Sequence, residues 1–366
     1  MKHYRFLSIS FVILILSHKV NGQATPAKPA VIAYYAGSPT MIDSFNTGQI
    51  THIIFSFGHL KGNGLHINNA RDTLTIQNLV SQKAKNPDLK VMLSLGGWGG
   101  CKDCSDVFSS KKGRKEFSRS VKELLDYFKA DGIDLDWEYP AIEGYPGHAF
   151  KPEDKTNFTA LVKKLRKKLG KDKLISFAAG GFTAFLDQSV EWKKVMKYAN
   201  FVNLMTYDLT NGFSVTTGHH TPLYSSANQK ESGDNAIQYL VSIGIPSNKL
   251  VLGAAFYGRV FDSVQNVNNG LFQPCKFKSY MPSRYFDSTL TETNGYVYFW
   301  DDSAKAPFYY NATAQTFVTF EDKKSIALKT RYAVANKLFG IMFWQLTEDK
   351  FKDGLLQSIN DTLTGE

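Results

Sequence analysis

Three carboxylates stand at alternate positions in Asp-Gly-Ile-Asp-Leu-Asp-Trp-Glu, residues 131 to 138: Asp134, Asp136 and Glu138. If the stretch is extended, side chains two apart share a face, so the acids line one side while Ile133, Leu135 and Trp137 line the other. Carboxylates roughly 6–7 Å apart along a strand repel in a low-dielectric site, so they are expected to share protons, with at least one pKa raised. A carboxyl that keeps its proton at ordinary pH is a general acid. Glu138, last in the row, is the expected proton donor.

The same row could be a structural network or a hard-metal site. No His accompanies it, however, and a strand presents its oxygens in line rather than as an enclosing shell, so no metal or other cofactor is expected. The spacing also limits the chemistry. A two-carboxylate retaining glycosidase needs its acids on opposite sides of the scissile bond, about 5–5.5 Å apart. Residues of one strand face cannot flank a sugar. If the bond cleaved is glycosidic, the nucleophile must be a water placed by other groups or an atom of the substrate.

The acids lie in one of eight short apolar runs: 31–37, 50–58, 90–97, 132–139, 174–181, 201–209, 250–258 and 340–346. Amphipathic helical patterns lie between them, as in 114–130, where Phe117, Val121, Leu124, Leu125 and Phe128 share a face. Strand and helix alternating eight times suit an α/β chain closed into a (β/α)8 TIM barrel. In such a barrel the active site forms at the C-terminal ends of the strands, where Glu138 falls. Roughly 60 residues separate Arg259 from the helix expected near Asp322, against about 2–6 for an ordinary connection, so a small α+β insertion, approximately 260–313, is expected after strand 7. Its aromatics, with alternation over 295–300 that reads as a strand, would wall one side of the site.

Bulk properties narrow the setting. With 366 residues, 43% of them hydrophobic, the chain can bury a large core. Residues 1–22 read as a signal peptide, with Lys2 and Arg5 ahead of an apolar stretch from Phe6 to Leu16 and small residues before Gly22, leaving a catalytic domain over 23–366. The protein is therefore expected to be secreted, extracellular or periplasmic. The apolar stretch is shorter than the roughly 20 residues a membrane span requires, so no membrane association is expected after cleavage.

The net charge falls from +10 to +7 once Lys2, Arg5 and Lys19 leave with the leader. Basic residues such as Lys163, Lys164, Arg166, Lys167 and Lys168 sit opposite the stripe of Leu161, Leu165 and Leu169, which reads as a solvated helix face rather than a nucleic-acid site. A monomer is expected. Three cysteines cannot form a disulfide framework, although Cys101 and Cys104 could pair locally. The glycines of 96–100 lack the Lys-Ser/Thr ending of a phosphate loop. Asn157, Asn311 and Asn360 fit the glycosylation pattern, with chance occurrence the default, and His219-His220 reads as loop architecture near the site.

The sequence 131–140, Asp-Gly-Ile-Asp-Leu-Asp-Trp-Glu-Tyr-Pro, resembles the Asp-x-x-Asp-x-Asp-x-Glu signature of family 18 glycoside hydrolases. Ser94-Leu95-Gly96-Gly97-Trp98, Met205-Thr206-Tyr207-Asp208-Leu209, the segment from Gly253 to Arg259, and Met342-Phe343-Trp344 resemble patterns of that family's chitinases. Together these cover five of the eight strands in order.

The resemblance implies a substrate of chitin or chitooligosaccharides and a retaining, substrate-assisted reaction through an oxazolinium ion. It implies that Glu138 protonates the glycosidic oxygen and later activates water. Asp136 would turn toward the acetamido N–H, Asp134 would share its proton, and Tyr207 would hydrogen-bond the acetamido oxygen. Trp344 would floor the cleavage subsite, Trp98, Tyr139 and Tyr257 would line neighbouring positions, and Met205, Asp208 and Arg259 would make further contacts. Flat aromatic rings suit the apolar faces of sugars. Two alternatives stay open: a catalytically silent chitin-binding lectin, which would usually lack the acid, and an endo-β-N-acetylglucosaminidase acting on glycoprotein or peptidoglycan glycans.

Overall fold

The computed structural model describes residues 28–365 together with Met1; the expected signal peptide lies outside the described residues apart from Met1. Among the described residues fourteen strands follow one another: β1 (Ala30–Tyr35), β2 (His52–Lys61), β3 (Gly64–His66), β4 (Lys90–Gly96), β5 (Gly132–Asp136), β6 (Leu174–Gly180), β7 (Phe201–Met205), β8 (Leu250–Ala255), β9 (Tyr257–Asp262), β10 (Lys276–Pro282), β11 (Val297–Asp301), β12 (Ala306–Asn311), β13 (Thr316–Thr319) and β14 (Gly340–Trp344). Eight of them pair in parallel in the order β1, β14, β8, β7, β6, β5, β4, β2, and β1 pairs with β2 to close the ring. This is the (β/α)8 barrel, built on all eight apolar runs.

The runs are continuously apolar because both faces of each strand are covered. One face packs on the helices through residues such as Ile53, Leu93, Ile133, Leu135 and Phe177. The other fills the barrel with Ile32, Ile54, Met92, Phe201, Val251 and Met342. Several strands end earlier than their apolar runs: β5 stops at Asp136 and β7 at Met205. Residues 137–139 and 206–209 leave the ladder at its C-terminal rim, where backbone groups no longer need a neighbouring strand.

The helix Lys111–Phe128 starts where the Ser110 side chain accepts from the Gly113 N–H and ends at Lys129, whose φ of 58° is left-handed. Its buried face is Phe117, Val121, Leu125 and Phe128. In the helix Asp154–Leu169, Lys163, Lys167 and Lys168 are exposed. Arg166 instead donates to the carbonyls of Tyr198, Gly170 and Lys173 and to Asn200 Oδ1, tying loops at the base of the barrel.

A second, antiparallel sheet, in the order β10, β9, β13, β12, β11, interrupts the alternation between β8 and the helix Lys323–Ala335. Phe261, Phe308, Tyr310 and Phe317 pack together in it, and Val260, Val318 and Phe320 form a second cluster with Phe286 and Leu290. The sheet begins at Tyr257, directly after the barrel strand, so its first strand carries Tyr257 and Arg259 to the barrel mouth. Asp322 caps the following helix with a reciprocal box to Ser325.

Cys101 and Cys104 form a disulfide, and Cys275 is free. Each glycosylation-pattern asparagine is engaged in the fold. Asn311 is buried and donates to the Asn294 carbonyl at 2.8 Å, Asn157 accepts from Arg114, and Asn360 donates to the Gln49 carbonyl. No described helix is long and apolar enough to cross a membrane.

Candidate active site

Asp134 lies at the centre of β5 with no exposed surface. Its register partners are Ser94 on β4 and Ser176 on β6, and both hydroxyls donate to it, Ser94 to Oδ2 at 3.3 Å and Ser176 to Oδ1 at 2.6 Å. The Tyr34 hydroxyl adds a bond to Oδ2 at 3.0 Å and Asn203 Nδ2 one to Oδ1 at 3.2 Å. Burial raises the Asp134 pKa, and these four donors oppose the rise. Asp134 is thus the floor beneath the site.

Asp136, also buried, has no such shell: its Oδ1 has no hydrogen-bond partner. Burial, then the charges of Glu138 and Asp134, push its pKa well above the carboxylate range. Glu138 stands two residues beyond, just past the strand end. Burial lifts its pKa to about 7, the charge of Asp208 adds to the rise, and contacts with the Tyr139 hydroxyl and Asp136 oppose it. Two neighbouring carboxylates out of reach of water repel when both are ionised, so the pair keeps a proton near neutrality. A general acid results.

Tyr207 faces this pair across the barrel mouth. Its hydroxyl lies 3.9 Å from Met342 Sδ, its ring meets Tyr257 edge-on, and burial with the nearby carboxylates holds the phenol protonated. Next to it, Asp208 takes a left-handed φ of 57° and is gripped by Arg259, Nε to Oδ1 at 2.8 Å and Nη2 to Oδ2 at 2.6 Å. Burial pushes the Asp208 pKa up, but the contacts with His220 and Arg259 win and hold it down at about 2. The His220 ring is fully buried against Tyr257, its Nδ1 3.8 Å from Asp208 Oδ1.

These groups open into a cleft of about 630 Å³ that gathers Trp98, Asp136, Glu138, Tyr139, Met205, Tyr207, Asp208, Tyr257, Arg259 and Trp344. Every residue singled out from the sequence lines it except Asp134, one layer deeper. Trp344 stacks on Phe57 with centroids 5.5 Å apart and planes at 11°, a flat apolar wall. Trp98 is nearly half exposed at the rim.

Tyr280, one of the insertion's aromatics expected to wall the site, lines the cleft, as do Phe57, Phe182, Asn211 and Phe213, which were not singled out from the sequence. Phe57 and Phe182 stand at the ends of apolar runs, a position that could have flagged them. Phe213 carries no such signal. Likewise Ser94, Ser176 and Asn203, polar residues inside apolar strands, could have flagged the Asp134 shell. Among the described residues no group of three or more His, Cys, Asp or Glu is arranged to hold a metal ion.

A protonated acid, a buried phenol donor and flat apolar walls fit a sugar polymer whose glycosidic oxygen needs a proton. Residues 30–349 match the family described as Glycosyl hydrolases family 18. Chitinase A1 of Niallia circulans is 29% identical, over 95% of this chain and 61% of its own length, so this chain spans less than two thirds of that relative. Chitotriosidase-1 of Mus musculus is 32% identical over 82% of this chain and 68% of its own. Among solved structures, a glycoside hydrolase family 18 N-acetylglucosaminidase from Paenibacillus barengoltzii superposes with a TM-score of 0.83 at 32% identity, covering 92% of this chain and all of that one. With the family model matched over most of its length, the chain belongs to glycosyl hydrolase family 18.

Proposed function

We propose that the protein is a secreted chitinase, hydrolysing β-1,4 bonds between N-acetylglucosamine units with retention. One observation carries the mechanism. Besides the Asp136–Glu138 pair, the only carboxylate lining the cleft among the described residues is Asp208, and both its oxygens are held by Arg259. No carboxylate is free to attack C1 from the opposite side, so the substrate's own N-acetyl carbonyl oxygen is the fitting nucleophile.

Glu138 gives its proton to the glycosidic oxygen as the C1–O bond breaks and the acetamido oxygen bonds to C1. Asp136, in its ionised form, takes a hydrogen bond from the acetamido N–H and offsets the positive charge of the oxazolinium ion. The Tyr207 hydroxyl donates to the acetamido oxygen. Glu138, now a carboxylate, draws a proton from water, whose oxygen attacks C1 and reopens the ring with the starting configuration. Trp344 packs under the sugar being cleaved, Trp98, Tyr139 and Tyr257 line adjoining positions, and Met205, Asp208 and Arg259 complete the contacts. The chitinase names of the relatives above support the substrate.

The likeness to an N-acetylglucosaminidase keeps a second reading, release of single sugars from chain ends. A time course on chitin hexaose, resolving product length and anomer, tests both. Dimers and trimers formed first with the β-anomer in excess are expected. Monomer alone from the outset would favour the second reading, and an initial α-anomer would overturn the substrate-assisted path.

A further inference from the structure

The positive charge of the chain is concentrated. From Lys155 to Lys197 eleven Lys or Arg stand against three acids, Asp172, Asp187 and Glu191, a net of +8. Without residues 1–22 the chain carries +7, so everything outside this stretch comes to −1. One flank of the barrel therefore holds the whole positive balance of the molecule.

The fold sets these cations side by side. The helices Asp154–Leu169 and Trp192–Val195 are neighbours on the outside of the barrel, where Lys163 Nζ stands 6.0 Å from the centre of the Tyr198 ring and Arg166 donates to the Tyr198 carbonyl and to Asn200. Lys163 and Lys167 follow one i, i+4 row of the first helix and Lys164 and Lys168 the next; Lys171 and Lys197 stand just past the ends of the two helices. Like charges at that spacing repel. Elsewhere the fold answers such charges with acids: on the adjoining helix Lys111–Phe128, Lys122 is paired with Asp126 at 2.6 Å, and within this stretch Lys194 takes Glu191 at 2.6 Å. Among the described residues no carboxylate lies within 4.0 Å of Lys163, Lys164, Lys167, Lys168, Lys171 or Lys197. The charge is left for something outside the chain.

The chemistry of the flank selects the partner. Lysine ammonium groups on flexible stems are point charges, and the one guanidinium among them, Arg166, is committed to backbone carbonyls, so no planar fork is free to read a particular group. No large hydrophobic residue between 151 and 212 is exposed, so the face offers neither rings on which bases stack nor apolar side chains that enter a bilayer. An extended acidic chain held by charge alone fits it. The position fits as well: each helix returns to the start of the next strand, Lys171 just before β6 and Lys197 just before β7, at the end of the barrel opposite the cleft.

We propose that this flank docks the protein on an acidic polysaccharide, a chain bearing carboxylate or sulfate groups, and leaves the cleft open at the other end. The choice of a polysaccharide rests on the secretion proposed above; the docking itself is independent of which bond the cleft cuts.

One variant combines Lys163→Gln, Lys167→Gln, Lys168→Gln and Lys171→Gln, all exposed, with Gln matching Lys in helix propensity so that the fold holds. A second removes the same charge elsewhere, by Lys61→Gln, Lys230→Gln, Lys276→Gln and Lys352→Gln, also exposed. The Kd for polygalacturonate and for dextran sulfate is measured between about 50 and 200 mM salt. The parent is expected to bind with a Kd that climbs steeply with salt. The first variant should bind at least about tenfold more weakly at the low-salt end, its log–log salt slope shallower by about two to three, and the second should stay within about threefold of the parent. All three should cleave chitin hexaose within about twofold of one another, because none of the substituted residues lines the cleft. Equal weakening in both variants would overturn the proposal, leaving bulk charge as the cause. So would tighter binding of phosphatidylglycerol vesicles or of duplex DNA than of either polysaccharide at the same salt, which would give the flank to another class of partner. A parent that binds but does not cleave the hexaose would count against the chitinase reading and leave the docking site standing.

Discussion

Asp208 and Arg259 form a two-pronged ion pair that joins the loop after β7 to the first strand of the inserted sheet. The pair fixes a negative charge facing Glu138, and that charge is one of the causes raising the Glu138 pKa. Asp208→Asn removes it while keeping a side chain of the same shape. The alkaline limb of the kcat/KM profile is therefore expected to move to lower pH, by a few tenths of a unit to about one. A limb that stays in place would show that burial alone sets the acid.

In the parent the limb itself has a predicted position. With Glu138 held to about 7 by burial, kcat/KM should fall as pH rises through about 7, when the acid is lost from the free enzyme. The value belongs to the Asp136–Glu138 pair as a unit. A limb below pH 5 in the pH–rate profile would contradict the buried environment.

Glu138→Gln keeps the cleft walls and deletes the proton. Hydrolysis of chitin hexaose should fall by at least about a thousandfold, within the usual scale of losing an acid catalyst and its assisted nucleophile together. Binding of the same hexaose should stay within about threefold, because Trp344 on Phe57 and the rim at Trp98 are untouched. Turnover within tenfold of the parent would remove Glu138 from the mechanism.

Much of this was legible in the chain. Parallel strands are buried on both faces, so eight apolar runs stand out, and the alternation of Asp134, Asp136 and Glu138 carries its own orientation. What pattern alone does not give is where a run leaves the ladder. The expected carboxylate spacing assumed a strand regular through Glu138, but β5 ends at Asp136, and Glu138 is free to meet its neighbour at a distance the pleat does not set. Nor does local pattern give partners far apart in sequence. The donors to Asp134 come from Tyr34, Ser94, Ser176 and Asn203, on four strands, and Arg259 is 51 residues from Asp208.

The acid has a stability consequence with a definite sign. Its folded pKa lies above the ordinary value of 4.5, so between pH 4.5 and about 7 the folded state holds a proton that the unfolded chain releases. Stability from this group falls as pH rises through that window, by on the order of 3 kcal/mol in full. Glu138→Gln should thus melt higher than the parent at pH 8 by a few degrees, with the gap closing toward pH 5. A gap independent of pH would mean that the carboxyl is not titrating against burial.

Behind the cleft, Lys329 and Glu321 form an ion pair with both side chains wholly buried. Lys329 Nζ also donates to the Thr221 carbonyl at 2.8 Å, Glu321 Oε1 accepts from Thr221 Oγ1 at 3.0 Å, and Glu321 Oε2 accepts from Ser325 at 2.6 Å. The same Thr221 hydroxyl lies 3.1 Å from the Thr206 carbonyl, a second acceptor competing for its one proton, one residue before Tyr207. Removing one partner strands a charge where water cannot reach it. Lys329→Met should cost about 3–5 kcal/mol in urea unfolding, and adding Glu321→Gln should recover at least half of that loss, because the stranded charge goes with it. If the double variant is as unstable as the sum of the singles, the two residues act independently and the pair is not what holds the Thr206 loop to the helix behind it.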